Sequence, residues 1–351
     1  MIKVLVVDDS ALVRKAVSEA LSRNPDLEVV GTAPDPLVAR DKIARLDPDV
    51  LVLDVEMPRM DGIAFLRKLM RYHPMPVVIF SSLTPRGSQR ALEALWAGAV
   101  EVIPKPAGPL SAGEAVERLA EAVRAAAHAR VRPPRSGPSG PIPHRGRAVH
   151  GPRRVVALGA STGGTEALRF VLQRMPRGCP GMLIVQHMPP HFIPPFARRL
   201  NELCEIEVRE AVDGDAVLPG TALIAPGDRH LTLQRNGERW LARVIDGPTV
   251  HHQRPSVDVL FRSVAKAAGP NAVGVIMTGM GADGARGLLE MRRAGARTIA
   301  QDEASCVVFG MPREAIRLGA AERVVPLERI PELILQMAQL PQGAAHGADT
   351  P

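Results

Sequence analysis

The chain reads as two α/β units in series: a five-stranded parallel, doubly wound sheet, then a larger parallel-rich sheet. Three observations carry that expectation. Short β-branched apolar runs alternate with stretches of helical apolar spacing along most of the 351 residues. Polar residues directly follow several of those runs, where parallel α/β sheets place their ligands. A stretch rich in Arg, Pro, Gly and Ser, roughly 126–152, interrupts the alternation.

In the first unit, Ile2 to Val7 is a buried strand followed by Asp8-Asp9-Ser10. Leu12, Val13, Ala16, Val17, Ala20 and Leu21 then share one helical face. A second strand is expected over Glu28 to Ala33, a helix over Pro36 to Arg45, and a third strand over Val50 to Leu53, ending in Asp54. Met57 to Gly62 reads as a loop before another helix. Val77 to Phe80 is a strand ending in Ser81, Val100 to Ile103 a short one ending in Pro104-Lys105-Pro106, and a helix follows from Ser111.

Asp8, Asp9, Asp54, Ser81 and Lys105 therefore gather at one rim of the sheet. Three carboxylates placed together repel unless they share a cation, and an oxygen-only set suits Mg²⁺. A lysine and a hydroxyl beside them can hold an anion that joins the metal, which is the chemistry of a carboxylate that takes a phosphoryl group. On these residues, 1 to about 125 resembles a response-regulator receiver domain, a flavodoxin-like fold. The resemblance implies Asp54 as phosphoacceptor, Asp8 and Asp9 as the acid pair, Ser81 as switch hydroxyl, Lys105 as the lysine, and the backbone carbonyl of Glu56 on the metal. Val102 stands where many receivers carry a rotating Phe or Tyr. Signal transfer is therefore expected through the Ser81 loop and backbone shifts.

The interrupting stretch reads as a tether. Between Arg130 and Arg154 there are seven arginines and no Lys, Asp or Glu, a charge of +7. The whole chain carries 44 − 37 = +7, so the rest sums to neutral. The basic excess is local and lacks aromatic stacking residues, so no nucleic-acid partner is expected. Cys179, Cys204 and Cys306 are widely spaced and read as buried small hydrophobes. No apolar run reaches about 18 residues, and the chain enters a strand pattern at once, so a cytoplasmic protein without membrane insertion is expected.

The second unit starts with the strand Val155 to Leu158, which runs into Gly159-Ala160-Ser161-Thr162-Gly163-Gly164 and then a helix over Thr165 to Val171. The turn fits G-x-S-x-G, which presents a nucleophile between strand and helix. Met182 to Val185 is a strand ending in Gln186-His187-Met188. Strands are expected near Ile206 to Arg209, Ala222 to Ala225, Leu231 to Gln234 and Leu241 to Ile245, with turns at Gly227-Asp228 and Asn236-Gly237. A helix follows over Ser256 to Ala268, then a strand over Ala272 to Met277 that opens into Thr278-Gly279-Met280-Gly281-Ala282-Asp283-Gly284. A helix from Ala285 to Ala294, a strand from Thr298 to Gln301 and a helix from Ile330 to Gln339 complete the unit, and residues after Pro341 read as a tail.

If these strands are parallel, Ser161, His187 and Asp283 share one rim. A serine hydroxyl needs a base near pH 7, a histidine is one, and a buried carboxylate fixes its tautomer. The order Ser, His, Asp differs from that of α/β-hydrolases. His187 and His191 have zincin-like spacing, but Pro189 and Pro190 lie between them and no Glu follows His187, which argues against a metal.

On Gly159 to Gly164, Val185 to Met188, Arg254 to Phe261 and Met277 to Gly284, the region from Arg154 to about Leu340 resembles the CheB family's catalytic domain, a parallel-rich α/β methylesterase. The resemblance implies hydrolysis of glutamate methyl esters and deamidation of glutamines on chemoreceptors, in chemotaxis adaptation. It also implies receiver phosphorylation by the histidine kinase CheA. Ser161 is the expected nucleophile, His187 the base and Asp283 its orienter, with backbone N–H groups at Thr162 and Met280 as oxyanion donors and no cofactor for the ester chemistry. The unphosphorylated receiver is expected to restrain the Ser161 rim. The expected domains are 1–125, 126–152 as linker, and 153–345. A non-catalytic receptor-binding module is disfavoured by the Ser-His-Asp set, and a DNA-binding regulator by the helix over Ser256 to Ala268, whose basic residues are Arg262 and Lys266.

Overall fold

A computed structural model describes residues 1–57, 61–82, 84–106, 112–131 and 154–339. The expected loop residues 58–60, most of the tether (132–152) and the tail lie outside the described residues. The chain divides into two compact units between Gly137 and Pro138.

The first unit runs β1 (Ile2–Val7), α1 (Ala11–Leu21), β2 (Leu27–Ala33), α2 (Pro36–Leu46), β3 (Val50–Leu53), α3 (Gly62–Tyr72), β4 (Val77–Ser81), α4 (Pro85–Trp96), β5 (Glu101–Pro104) and α5 (Ala112–Ala127). Its sheet has the order β2-β1-β3-β4-β5, every neighbour parallel. Residues 4–7 of β1, all of β3 and residues 77–80 of β4 are buried, which is why these strands read as continuous apolar runs. The strand order reverses between β1 and β3, so the crevice at their carboxyl ends opens beside Asp8 and Asp54. Local chemistry sets the helix starts. Ser10 accepts from the Val13 amide, Asp35 from Leu37 and Val38, Asp61 from Ile63, and Thr84 from Gly87.

The second unit runs β6 (Val155–Ala160), α6 (Gly164–Leu172), β7 (Gly181–Gln186), α7 (Ile193–Leu203), β8 (Glu207–Glu210), β9 (Thr221–Ile224), β10 (His230–Asn236), β11 (Arg239–Ile245), α8 (Val257–Ala268), β12 (Ala272–Ile276), α9 (Ala285–Arg293), β13 (Arg297–Gln301), α10 (Met311–Arg317), β14 (Arg323–Val325) and α11 (Ile330–Gln339). Seven strands form one parallel sheet in the order β14-β13-β12-β6-β7-β9-β8. β10 and β11 stand apart as an antiparallel hairpin, Asn236 pairing with Arg239 across Gly237-Glu238. Its inward side chains, Leu231, Leu233, Ala242 and Val244, join the core that α8 forms through Val257, Leu260, Phe261 and Val264. Burying each such large side chain contributes about 1.5–3 kcal/mol.

The three cysteines are free and buried, and burial pushes the thiols of Cys179 and Cys204 up to about 12. Among the described residues, no helix is long and apolar enough to cross a membrane.

Candidate active site and receiver site

In the first unit, Asp8 follows β1, Asp54 follows β3, Ser81 closes β4 and Lys105 follows β5. Asp8 and Asp54 are buried and Asp9 is exposed, yet carboxylate oxygens of all three lie within 4.8 Å of one another. Lys105 Nζ sits 2.8 Å from Asp8 Oδ2 and 2.7 Å from Asp54 Oδ2. Burial would lower the Lys105 pKa, but its contacts with Asp54 and Asp8 outweigh that and raise it. Asp8 goes the other way for a carboxylate: burial raises its pKa against the pull of Lys105. One ammonium thus leaves three carboxylates with excess negative charge in a desolvated rim, which fits a divalent cation. The remaining oxygens are held in place, Asp8 Oδ1 accepting from the Ser10 amide and Asp54 Oδ1 from the Glu56 amide, both at 2.9 Å. The Glu56 side chain accepts from the Ser82 hydroxyl, and no hydrogen bond reaches the Glu56 carbonyl among the described residues.

Ser81 is fully buried, and its hydroxyl donates to the Gly87 carbonyl in the first turn of α4 at 3.4 Å, not to Asp54. Arg90, one turn further along α4, donates to the Val55 carbonyl at 3.1 Å and to Asp61. α4 is thereby tied to the segment that follows Asp54.

In the second unit, Ser161, His187 and Asp283 follow β6, β7 and β12, the three adjacent strands at the centre of the sheet. Ala160 and Gln186 are register partners, and the His187 amide donates to the Ala160 carbonyl at 3.1 Å. The serine and histidine therefore leave neighbouring strands side by side. On the other flank, the Ser161 amide donates to the Thr278 carbonyl at 3.0 Å. A Cβ on Gly279 would lie 2.7 Å from Ser161 Cβ, so only glycine lets the loop after β12 pass this close.

That loop delivers Asp283 to His187, with Oδ2 2.9 Å from Nε2. Asp283 also accepts from the Val257 amide (2.8 Å), the Asp258 amide (3.0 Å) and the Ser256 hydroxyl (2.8 Å). The carboxylate thus sits on the amino end of α8, where unpaired amides and the helix dipole favour an anion. Burial alone would raise the Asp283 pKa, but the hydrogen bond and charge of His187 and the bonds from α8 hold it below the usual carboxylate value. An ionised Asp283 can only accept, so Nε2 carries the imidazole hydrogen and Nδ1 is the basic nitrogen. In this structure the Ser161 hydroxyl bonds to no group among the described residues, so the serine and the imidazole are neighbours without a hydrogen bond. Catalytic hydrogen bonds of this kind often close only around substrate.

The family model for the CheB methylesterase matches residues 156–334, and that for the response regulator receiver domain matches residues 4–117. The chain belongs to the CheB family. It is 57% identical over 340 residues to protein-glutamate methylesterase/protein-glutamine glutaminase 2 of Syntrophus aciditrophicus, covering 96% of this chain and 99% of that protein. To protein-glutamate methylesterase/protein-glutamine glutaminase 4 of Anaeromyxobacter dehalogenans it is 56% identical over 344 residues, covering 96% of this chain and 95% of that protein. The crystal structure of the Thermotoga maritima CheB methylesterase catalytic domain superposes with a TM-score of 0.51 at 37% identity, covering 52% of this chain and 98% of that one.

In this CheB family member, Met280 is 44% exposed at the rim, and its amide makes no hydrogen bond among the described residues. Thr162 is buried, its carbonyl 2.9 Å from the Thr278 hydroxyl. His191 lies in a short 3-10 turn (Pro190–Phe192) and does not share a helix with His187. His251, Asp258 and Asp283 bring ligand atoms within 4.8 Å, but Asp258 already accepts from the Gly287 amide, His251 and Arg262, and Asp283 is saturated as described.

Two supporting residues escape sequence reasoning. Gln186 Nε2 donates to the Ser161 carbonyl at 2.9 Å and the His187 carbonyl at 3.0 Å, clasping both turns. A Cβ on residue 164 would come within 2.1 Å of Gln186 Oε1, so the second glycine of the Gly163-Gly164 pair makes room for the clasp. The other is Ser256, the N-cap of α8, whose hydroxyl reaches Asp283, a residue 27 positions away.

Proposed function

We propose that this chain is a phosphorylation-regulated serine hydrolase that demethylates glutamate methyl esters and deamidates glutamines on chemoreceptors in chemotaxis adaptation, working in the cytoplasm without nucleic-acid or membrane-inserting partners. The observation that carries the reading is the Asp283–His187 pair held on α8 beside Ser161.

Ser161 Oγ attacks the ester carbonyl while His187 Nδ1 takes its proton, and Asp283 stabilises the imidazolium through Nε2. The C–O bond to the methoxy group then breaks, and methanol leaves with the proton from His187. Water, deprotonated by the same nitrogen, attacks the acyl-enzyme, and its proton returns to Ser161 as the glutamate carboxylate departs. With a glutamine substrate the leaving group is ammonia. The Thr162 and Met280 amides stabilise the oxyanion, each worth about 3–4 kcal/mol in comparable sites.

Regulation is assigned to Asp54 as phosphoacceptor, with the kinase CheA as donor, Ser81 as switch hydroxyl and Lys105 as the phosphoryl partner. Asp8, Asp9, Asp54 and the Glu56 carbonyl would hold Mg²⁺, which when bound offsets the charge of the incoming phosphoryl group. The working division is 1–125 for the receiver, 126–152 for the linker and 153–345 for the catalytic domain.

The test is methanol release from a methylated chemoreceptor by the native chain and by Ser161→Ala, with and without a small phosphodonor and Mg²⁺. Release by the native chain, increased by the donor and absent in Ser161→Ala, is expected. Equal release by both chains moves the nucleophile elsewhere, and release that ignores the donor removes Asp54 from control.

A further inference from the structure

His230 opens β10 and is buried, away from Ser161, with both ring nitrogens engaged. Nδ1 accepts from the Ser256 amide at 3.2 Å, and Nε2 lies 2.9 Å from the Pro248 carbonyl. An amide N–H only donates and a carbonyl only accepts, so these partners fix one ring state: neutral, with the hydrogen on Nε2. This imidazole bridges the 247–255 loop to the amino end of α8.

Ser256 is the residue it grips. Its backbone is extended (φ −109°, ψ 136°) as the N-cap of α8, and its hydroxyl donates to Asp283 Oδ1. A continuous chain of hydrogen bonds thus runs from Pro248 O through His230 and the Ser256 backbone and side chain to Asp283, and from there to His187. The loop before Ser256 is fastened separately: Arg254 donates to Asp228 at 2.9 and 2.6 Å and to the Gly247 carbonyl at 2.7 Å. Those bonds hold the loop, whereas the bond to His230 is made by the helix cap itself.

We infer that His230 is a positioning residue for the esterase site, acting through Ser256 to place the α8 amides and hydroxyl that hold Asp283; this rests on the esterase reading above. It needs an acceptor and a donor set about as far apart as the two ring nitrogens. A neutral glutamine amide offers both, and a leucine of similar bulk offers neither. Misplacing a catalytic group by a fraction of its contact distance, or removing a support of this kind, costs about 10- to 100-fold in rate.

The experiment compares the full-length native chain with His230→Gln and His230→Leu, phosphodonor present, measuring kcat and KM for methanol release from a methylated chemoreceptor. The imidazole N–H resonance of His187 in ¹⁵N-histidine-labelled protein is followed alongside. Expected are a kcat loss of about 10- to 100-fold with KM unchanged in His230→Leu, recovery to within about threefold in His230→Gln, and a shifted His187 signal in the leucine variant alone. Wild-type kcat in His230→Leu, or a glutamine variant as slow as the leucine one, overturns the inference. If His230→Leu does not fold, Ser256→Ala cuts the same chain one step later. It is expected to show the same kcat loss, and wild-type kcat there overturns the inference equally. No release by the native chain would fell the esterase reading itself and this inference with it, an outcome distinct from an active native chain with an indifferent His230.

Discussion

Two aspartates in this chain are buried to similar degrees and titrate in opposite directions. Asp283 is 2% exposed and held low, because His187 and the amides of α8 favour its charged form. Its carboxylate strengthens the site above the ordinary carboxylate range, and that contribution is lost as pH falls through the depressed value. Asp283→Asn presents an amide to Nε2 and favours the wrong tautomer, so kcat is expected to fall by about 10⁴-fold with the chain still folded, checked by methanol release beside circular dichroism. Asp8, also 2% exposed, is raised by burial despite Lys105. In the interval between its unfolded and folded pKa values the native state binds more protons, so stability falls as pH rises through that interval. Asp8→Asn is therefore expected to raise the receiver's melting temperature at neutral pH without divalent cation and to remove the further rise expected of native protein on adding a divalent cation, both read by thermal unfolding.

At the scale of elements, α8 joins packing to chemistry. Its apolar face inserts Phe261, fully buried, against Gly287 of α9, while its amino end holds Asp283. Phe261→Ala is expected to cost the catalytic domain about 3–5 kcal/mol, measured by denaturant unfolding. That helix was legible from its 257-260-261-264 spacing, as were the buried strands β1, β3, β6, β7 and β12 from their apolar runs. Other elements were not. α7 begins with Pro194 and Pro195, and α10 with Pro312 in its first turn, where a missing N–H costs nothing but where sequence alone reads a break. α4 follows the same rule, with Pro85 directly after its cap Thr84. β14 has three residues, too few for a period to show. Ser161 and His187 were legible as candidates because each stands at the end of an apolar run, and Asp283 because it lies in the polar, glycine-rich loop into which another such run opens. Gln186, Ser256 and His230 were not, since what marks each is a group it meets far along the chain: the Ser161 carbonyl, the Asp283 carboxylate and the Ser256 amide, respectively.

At the scale of the molecule, two compact units of different chemistry share one chain. The regulatory proposal predicts that deleting residues 1–125 raises basal methanol release and abolishes its response to phosphodonor. A differential of about 2.8 kcal/mol between restrained and released states would give about 100-fold activation. A fall in basal release would mean that the receiver assembles the site. The basic excess between Arg130 and Arg154 predicts only salt-dependent contacts for that segment, not sequence-selective DNA retention, checked by binding at moderate salt. The burial of all three cysteines has a practical consequence. The native thiols lie in the interior, so single cysteines placed on the surface of each unit can carry a fluorophore pair and be labelled in preference to them. The distance between receiver and catalytic domain can then be followed, molecule by molecule, as phosphodonor is added.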